Sequence, residues 1–192
     1  MARIAIFVGH PAPDSYCEAL GRAYLRGTES GGHEGHLFLL GRMNFDAILR
    51  KGYRGEQALE PDLVAARAAM RACDHLVFVF PLWCGDMPAI MKGFIERVLQ
   101  PDLLAARASH GAAGWKFFHD KSARIVMTMG MPGWFYRWYY GAHALKLLKR
   151  NILHFTGITP VRSTIYGMVD AVSEETRKQW LREVEALGHQ AR

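Results

Sequence analysis

Apolar residues fall along this chain in two rhythms: short unbroken runs, and longer stretches in which they return every three or four positions. A short unbroken run predicts a strand covered on both faces, because a strand with one wet face alternates. Arg3–Gly9, carried by Ile4 to Val8, is the first such strand, and His75–Phe80 is of the same kind. His36–Leu40, Ala123–Met129 and Thr159–Val169 complete a set of five. The helical rhythm predicts Tyr16–Arg26, with Asp14 or Ser15 as its cap and Gly27 at its end, then Pro61–Ala72, where proline suits a first turn. A third helix begins at Pro88 or Ala89, carries Ile90, Met91, Phe94, Ile95, Val98 and Leu99 on one face, and is ended by Pro101. Gly141–Phe155, closed by Gly157, is the fourth. Ser173-Glu-Glu opens the last, with a cap and two acids at the positive end of the helix dipole.

Strands and helices in alternation predict an α/β fold: one five-stranded parallel sheet, doubly wound, in the flavodoxin-like order 2-1-3-4-5. A length of 192 residues, half of them apolar and 22% charged, allows a full core and predicts a single domain over residues 1–192. The polar connection Gly41–Glu60 is too long for a plain turn and reads as a lid or a subunit contact. In a sheet of this order ligands bind outside the carboxyl ends of the strands, at the switch point between strands 1 and 3. The loops after Gly9, Phe80 and Met129 are therefore expected to meet.

Charge and cysteine content narrow the classes. No apolar run is long enough to cross a bilayer, and the start Met1-Ala-Arg-Ile-Ala-Ile has no secretory pattern, so a cytoplasmic protein without membrane insertion is expected. Cys17, Cys73 and Cys84 lack metal-site spacing and make no disulfide framework, so no metal is expected. The net charge of +6 suits a phosphate-bearing cofactor. Its cations are dispersed, with a modest cluster at Lys146, Lys149 and Arg150, and no nucleic-acid motif accompanies them, so no nucleic-acid partner is expected.

Each of the three loops has chemistry of its own. Gly9-His-Pro-Ala-Pro-Asp-Ser-Tyr-Cys17 offers a histidine, a serine hydroxyl and the free amides of a helix start to a phosphate. Neither a Gly-x-Gly-x-x-Gly nor a Walker-type Gly-Lys-Ser/Thr occurs, which counts against a dinucleotide-binding Rossmann domain and a nucleoside triphosphatase. In Pro81-Leu-Trp-Cys-Gly-Asp-Met-Pro88 two prolines stiffen the loop, Gly85 admits close backbone approach and Trp83 presents a flat apolar face to a planar ring. Backbone amides there would stabilise charge on such a ring as it is reduced. Thr128 to Gly141 joins glycines to several aromatics, a wall for a ring, a slot for a second flat molecule, or a dimer contact.

Taken together with Asn44-Phe-Asp46, Glu60-Pro-Asp62, Lys92-Gly-Phe-Ile-Glu-Arg97 and Ile152-Leu-His-Phe-Thr-Gly157, these loops make the chain resemble the flavodoxin-like NAD(P)H:quinone oxidoreductases of the DT-diaphorase type, from Arg3 to about Val169. The resemblance implies a homodimeric flavoprotein in which NAD(P)H and a quinone, or another flat aromatic acceptor, take turns on one flavin face. It implies FAD as the cofactor, with FMN held by shorter relatives. It places His10, Ser15, Tyr16 and Cys17 at the flavin phosphate loop, and Pro81, Leu82, Trp83 and Cys84 along the isoalloxazine. Glu96 matches an acid near the cofactor, and Thr128, Met129, Gly130 and Met131 lie against the dimethylbenzene and ribityl side. Tyr136 and His143 match a catalytic charge and proton relay, with Tyr139 and Tyr140 as the alternative tyrosines. An azo- or nitro-reductase on the same scaffold, and a regulatory flavoprotein subunit of a membrane transporter, are the alternative readings.

Overall fold

The computed structural model describes residues 1–108 and 116–191. Five parallel strands, β1 (Arg3–Val8), β2 (Glu34–Leu39), β3 (His75–Pro81), β4 (Ser122–Thr128) and β5 (Val161–Tyr166), form one sheet in the order β2-β1-β3-β4-β5. Its register sets Val8 beside both Leu39 and Val79, and Thr128 beside both Pro81 and Tyr166, so the carboxyl ends finish along one edge. Because strand side chains alternate, Ile4, Ile6, Val8, Val77, Val79 and Val126 pack toward one layer, and Ala5, Phe7, Leu76, Phe78, Phe80, Ile125 and Met127 toward the other. Both faces are dry, which is why β1 and β3 read as unbroken apolar runs.

The first layer is α1 (Tyr16–Ser30) and α6 (Glu174–His189). Ser15 caps α1, accepting the Glu18 N–H, while Asp14 before it is left-handed at φ 55°. The helix runs past Gly27, which was expected to close it. A Cβ on Gly27 would stand 1.9 Å from the Glu185 carbonyl oxygen, and one on Gly188 would stand 2.2 Å from that of Tyr24. These glycines let two helices meet backbone to backbone; they do not stop a helix.

The second layer holds α2 (Pro61–Ala72), α3 (Ala89–Ala108) and the helical stretch after β4. Pro101 does not end α3. It forfeits one ladder bond, but the next residue, buried Asp102, accepts from Arg67 at 2.9 Å and from Arg71 of α2, which ties the far half of the helix down. In place of one helix over Gly141–Phe155 the chain forms α4 (Gly133–Trp138), a left-handed Ala142, α5 (His143–Lys146) and a π-helical stretch, Leu147–His154. The connection Gly41–Glu60 is a strap pinned to α3. The fully buried Arg97 donates to Glu60 at 2.8 Å and to the Ala58 and Asp46 carbonyls, and Gln100 donates to Gly52 and Gly55. Gly93 admits the strap, since a Cβ there would stand 2.3 Å from the Ala47 carbonyl oxygen.

Candidate functional site

The three expected loops do meet, around a cleft of about 440 Å³ at the carboxyl edge. The first loop and the start of α1 supply His10, Ala12, Pro13, Ser15, Tyr16 and Cys17. The end of β3 supplies Pro81, Leu82 and Trp83, and the end of β4 supplies Thr128, Met129 and Gly130. Val169 and Asp170, beyond β5, close the remaining side. The sequence reading carried a strand through Val169 and so missed them. The strand ends at Tyr166, and the turn after Gly167 folds over the cleft, its Met168 and Val169 amides bonding the Met131 and Met129 carbonyls. Gly167 is the signal that was there to find, for a Cβ on it would stand 2.7 Å from the Met131 carbonyl oxygen.

The floor is uncharged. Cys17, 2% exposed, lies 3.4 Å by its sulfur from the Thr128 hydroxyl, and burial pushes its thiol up to about 11, so it is a neutral wall and no thiolate nucleophile. Tyr16 turns its hydroxyl to the Arg177 carbonyl at 2.8 Å, and burial raises its pKa to about 12. The amides of Tyr16 and Cys17 belong to the first turn of α1, ahead of the helix's own ladder, at the positive end of its dipole. His10 is held by its own loop, Nδ1 accepting the Ala12 N–H at 3.1 Å, and its ring stands edge-on to Trp83 at 5.2 Å.

The β3 loop is a two-residue turn. Trp83 and Asp86 exchange both amide-to-carbonyl bonds, and Cys84 and Gly85 between them are left-handed at φ 50° and 82°, as in a type I′ hairpin turn. That geometry engages the Leu82, Trp83, Asp86 and Met87 amides within the protein. Of the amides expected to face a ring, those of Cys84 and Gly85 stand at the tip. Cys84 is exposed there and does not line the cleft.

Other expected site residues lie elsewhere. Met129 presents its backbone to the cleft while its side chain joins the core, and Met131 stands outside the lining. Tyr136 is 1% exposed, and its hydroxyl accepts the Leu145 N–H at 3.2 Å, tying α4 to α5; burial raises its pKa. His143 is exposed at the start of α5, and neither residue of the expected relay touches the cleft. Tyr139 and Tyr140 are exposed as well. Glu96 pairs with Lys92 in a second hollow of about 570 Å³, walled by Ile95, Leu99, Leu103, Leu147, Ile152 and Phe155, with Tyr53 of the strap at its side.

Comparison with known proteins agrees with this architecture. The chain matches the family described as having a flavodoxin-like fold (Flavodoxin_2) over residues 2–187. It is 28% identical over 131 residues to NAD(P)H dehydrogenase [quinone] 1 of Rattus norvegicus, covering 66% of this chain and 47% of that one. It is 27% identical over 123 residues to an FMN-dependent NADH:quinone oxidoreductase of Macrococcus caseolyticus, covering 61% and 56%. The chain spans about half the length of the curated relatives it matches. In three dimensions the NAD(P)H:quinone oxidoreductase of Methanothermobacter marburgensis superposes with a TM-score of 0.77 at 22% identity, covering 97% of this chain and 94% of that one, a likeness of fold. The chain therefore belongs to the flavodoxin-like fold family, the one that holds the NAD(P)H:quinone oxidoreductases it resembles.

Proposed function

We propose that the chain, as one flavin-binding domain, passes two electrons from NAD(P)H to a quinone or a similarly flat acceptor. The observation that carries this reading is the meeting of three loops around one cleft that offers a helix start, an indole face and an uncharged floor. The cleft's residues fit a flavin: its volume lies within the range of ligand pockets, about 300–1,000 Å³. Ser15 and the first-turn amides of α1 would hold the phosphate, and Thr128 to Gly130 would run beside the ribityl chain. Pro81, Leu82 and Trp83 would flank the ring. The Macrococcus caseolyticus relative, FMN-dependent by name, supports FMN as the flavin, and the resemblance to FAD-binding proteins leaves FAD as the variant to be tested against it.

When bound, the flavin supplies the redox chemistry, accepting a hydride from NAD(P)H and giving two electrons to the acceptor. The protein's part is placement. The indole of Trp83 would exclude water from one side, and the neutral Cys17 thiol adds no charge to the cleft wall. One slot serves both co-substrates, so the kinetics are ping-pong. The dimer follows the same reading: the hollow of about 570 Å³ between α3 and the π-helical stretch, mostly apolar with the Lys92–Glu96 pair in it, is the face for a second copy, with Phe155 48% exposed at its rim.

The test is direct. The purified protein is expected to be yellow, to release one flavin on denaturation that chromatography identifies as FMN or FAD, and to give parallel double-reciprocal lines with NADH and a quinone. A colourless protein that takes up neither flavin overturns the reading, and intersecting lines overturn the shared slot. Azo dyes and nitroarenes run beside the quinone rank the acceptor class.

A further inference from the structure

Between Lys121 and Val169 the chain has seven lysines and arginines and not one aspartate or glutamate. The whole chain has 24 cations against 18 acids, so the remainder is close to neutral and the net positive charge belongs to this segment. An even spread of cations hides the asymmetry, which lies in where the acids are missing.

Of its cations Lys121 bonds the Arg71 and Cys73 carbonyls, Arg124 is buried in β4 and Arg162 lies in β5, while Arg137, Lys146, Lys149 and Arg150 belong to the helical stretch between those strands, whose aromatic start the fold turns outward. Trp134, Trp138 and Tyr139 are 69%, 79% and 66% exposed. Trp134 and Trp138 are four residues apart on α4 and share a face. Phe135 stacks on Tyr139 at 5.1 Å and meets Trp134 and Tyr140 edge-on, so the rings form one connected group. Arg137, Lys146 and Arg150 are exposed beside it in sequence. Among the described residues none of these three is in an ion pair, whereas α1 and α6 pair four of their five: Arg22 with Glu18, Arg26 with Glu185, Lys178 with Glu174, Arg182 with Glu175. Lys146 and Arg150 are exposed and do not wall the hollow, although their chain neighbours Leu147 and Asn151 do.

Exposed indoles and phenols with unpaired cations on the same stretch are poorly matched to water. They match the headgroup layer of an anionic bilayer, where Trp and Tyr rings sit at the interface and Lys and Arg meet lipid phosphates. Docking would be peripheral, since among the described residues no helix is long and apolar enough to cross a membrane. We propose that the face formed by α4, α5 and the π-helical stretch docks on anionic lipid bilayers. The proposal deepens the quinone-reductase reading, because α4 begins just past Gly130 of the cleft and a quinone with an apolar tail is met in a membrane.

Vesicle binding is scored without turnover, so the docking and the enzyme readings fail separately. The full chain as purified is sedimented with vesicles of phosphatidylcholine alone or with one-third phosphatidylglycerol, while tryptophan emission is recorded. Binding is expected only to the anionic vesicles, with a blue shift and loss at high salt. Arg137→Gln, Lys146→Gln and Arg150→Gln together are expected to weaken it on the order of 100-fold, and Trp138→Ala on the order of tenfold. The charge-conserving variant Arg137→Lys with Arg150→Lys is expected to bind as the natural chain does, which separates lost charge from a damaged fold. Equal binding to neutral vesicles, an unaffected triple variant, or loss in the charge-conserving variant overturns the proposal. So does a Trp138→Ala variant that dissociates dimers without altering vesicle binding, which gives the face to a second copy, or displacement of vesicles by polyuridylate at equal charge, which gives it to nucleic acid.

Discussion

The larger of the two hollows, about 570 Å³, is walled by helix side chains, and the smaller, about 440 Å³, is walled by loops and the start of α1. Size favours the first and chemistry the second. Loops after parallel strands bring main-chain donors and a helix's positive end to one place, and these bind a phosphate and a polar ring edge. Between helices most main-chain groups are already spent on their own ladder, so side chains face the space, and here seven of the eleven are apolar or aromatic, with Lys92, Glu96, Asn151 and Thr156 among them. The first hollow is thereby suited to cover by another apolar surface and the second to a charged cofactor.

The strap Gly41–Glu60 walls only the larger hollow, and the sharpest test separates the two there. Arg97→Met leaves the Glu60 carboxylate and two carbonyls without their buried partner, and unfolding by urea is expected to show a loss of about 3–5 kcal/mol. Flavin affinity measured where the variant is still folded is expected to stay within about twofold; a loss matching the stability change would break the distinction.

A perturbation remote from both hollows comes next. His75, at the start of β3, hydrogen-bonds Ser122 at 2.7 Å, and burial first, then the nearby Arg124 and Arg162, lower its pKa from 6.5 to about 4. Above pH 6.5 folded and unfolded chains are both neutral there and stability is flat. As the pH falls from 6.5 toward 4 only the unfolded chain takes up the proton, so the fold loses about 3 kcal/mol. Glu18 and Glu60, where burial pushes the pKa up but hydrogen bonds from arginines and backbone amides outweigh it and hold the carboxyls below the ordinary range, add their own losses at lower pH still. Denaturant titrations between pH 6.5 and 4.5 check this, and His75→Gln should flatten the slope.

Within the cleft, Gly130 has room for a Cβ, whose nearest neighbour would be an Asp170 oxygen at 3.8 Å. Gly130→Trp is expected to keep the fold and cut flavin affinity about 10- to 100-fold by filling the space. Leu147→Trp, the same bulk in the larger hollow, should leave flavin affinity alone and change self-association in sedimentation. Equal effects would show that volume, and not wall chemistry, decides. The smallest effect is at the turn tip: Cys84→Gly relieves a left-handed non-glycine residue and should raise thermal stability by about 1 kcal/mol or less, without moving the flavin absorbance.

Legibility followed the range of the forces involved. β1, β3 and the start of α1 were readable because burial on two faces leaves an unbroken apolar run, and because a cap needs only a serine three residues before a free amide. Gly27 and Pro101 misled for the opposite reason. Each has a strong local meaning, a stop, that was overridden by a partner far off in sequence, Glu185 in one case and the Arg67–Asp102–Arg71 grip in the other. Tyr136 shows the same limit at the site, since nothing local tells whether a tyrosine in an aromatic loop turns its hydroxyl to a cleft or to the Leu145 amide.

By itself, then, the order of apolar runs and turn residues determined the sheet, its winding and the edge where the loops gather, because hydrophobic period and chain connectivity are properties of the sequence. Which side chains face the cleft, that Glu96 and the Tyr136–His143 pair stand away from it, and that the rings of Trp134, Trp138, Tyr139 and Tyr140 turn outward were decided only by tertiary packing. A side chain's direction depends on neighbours that the fold, and not the sequence, brings alongside it.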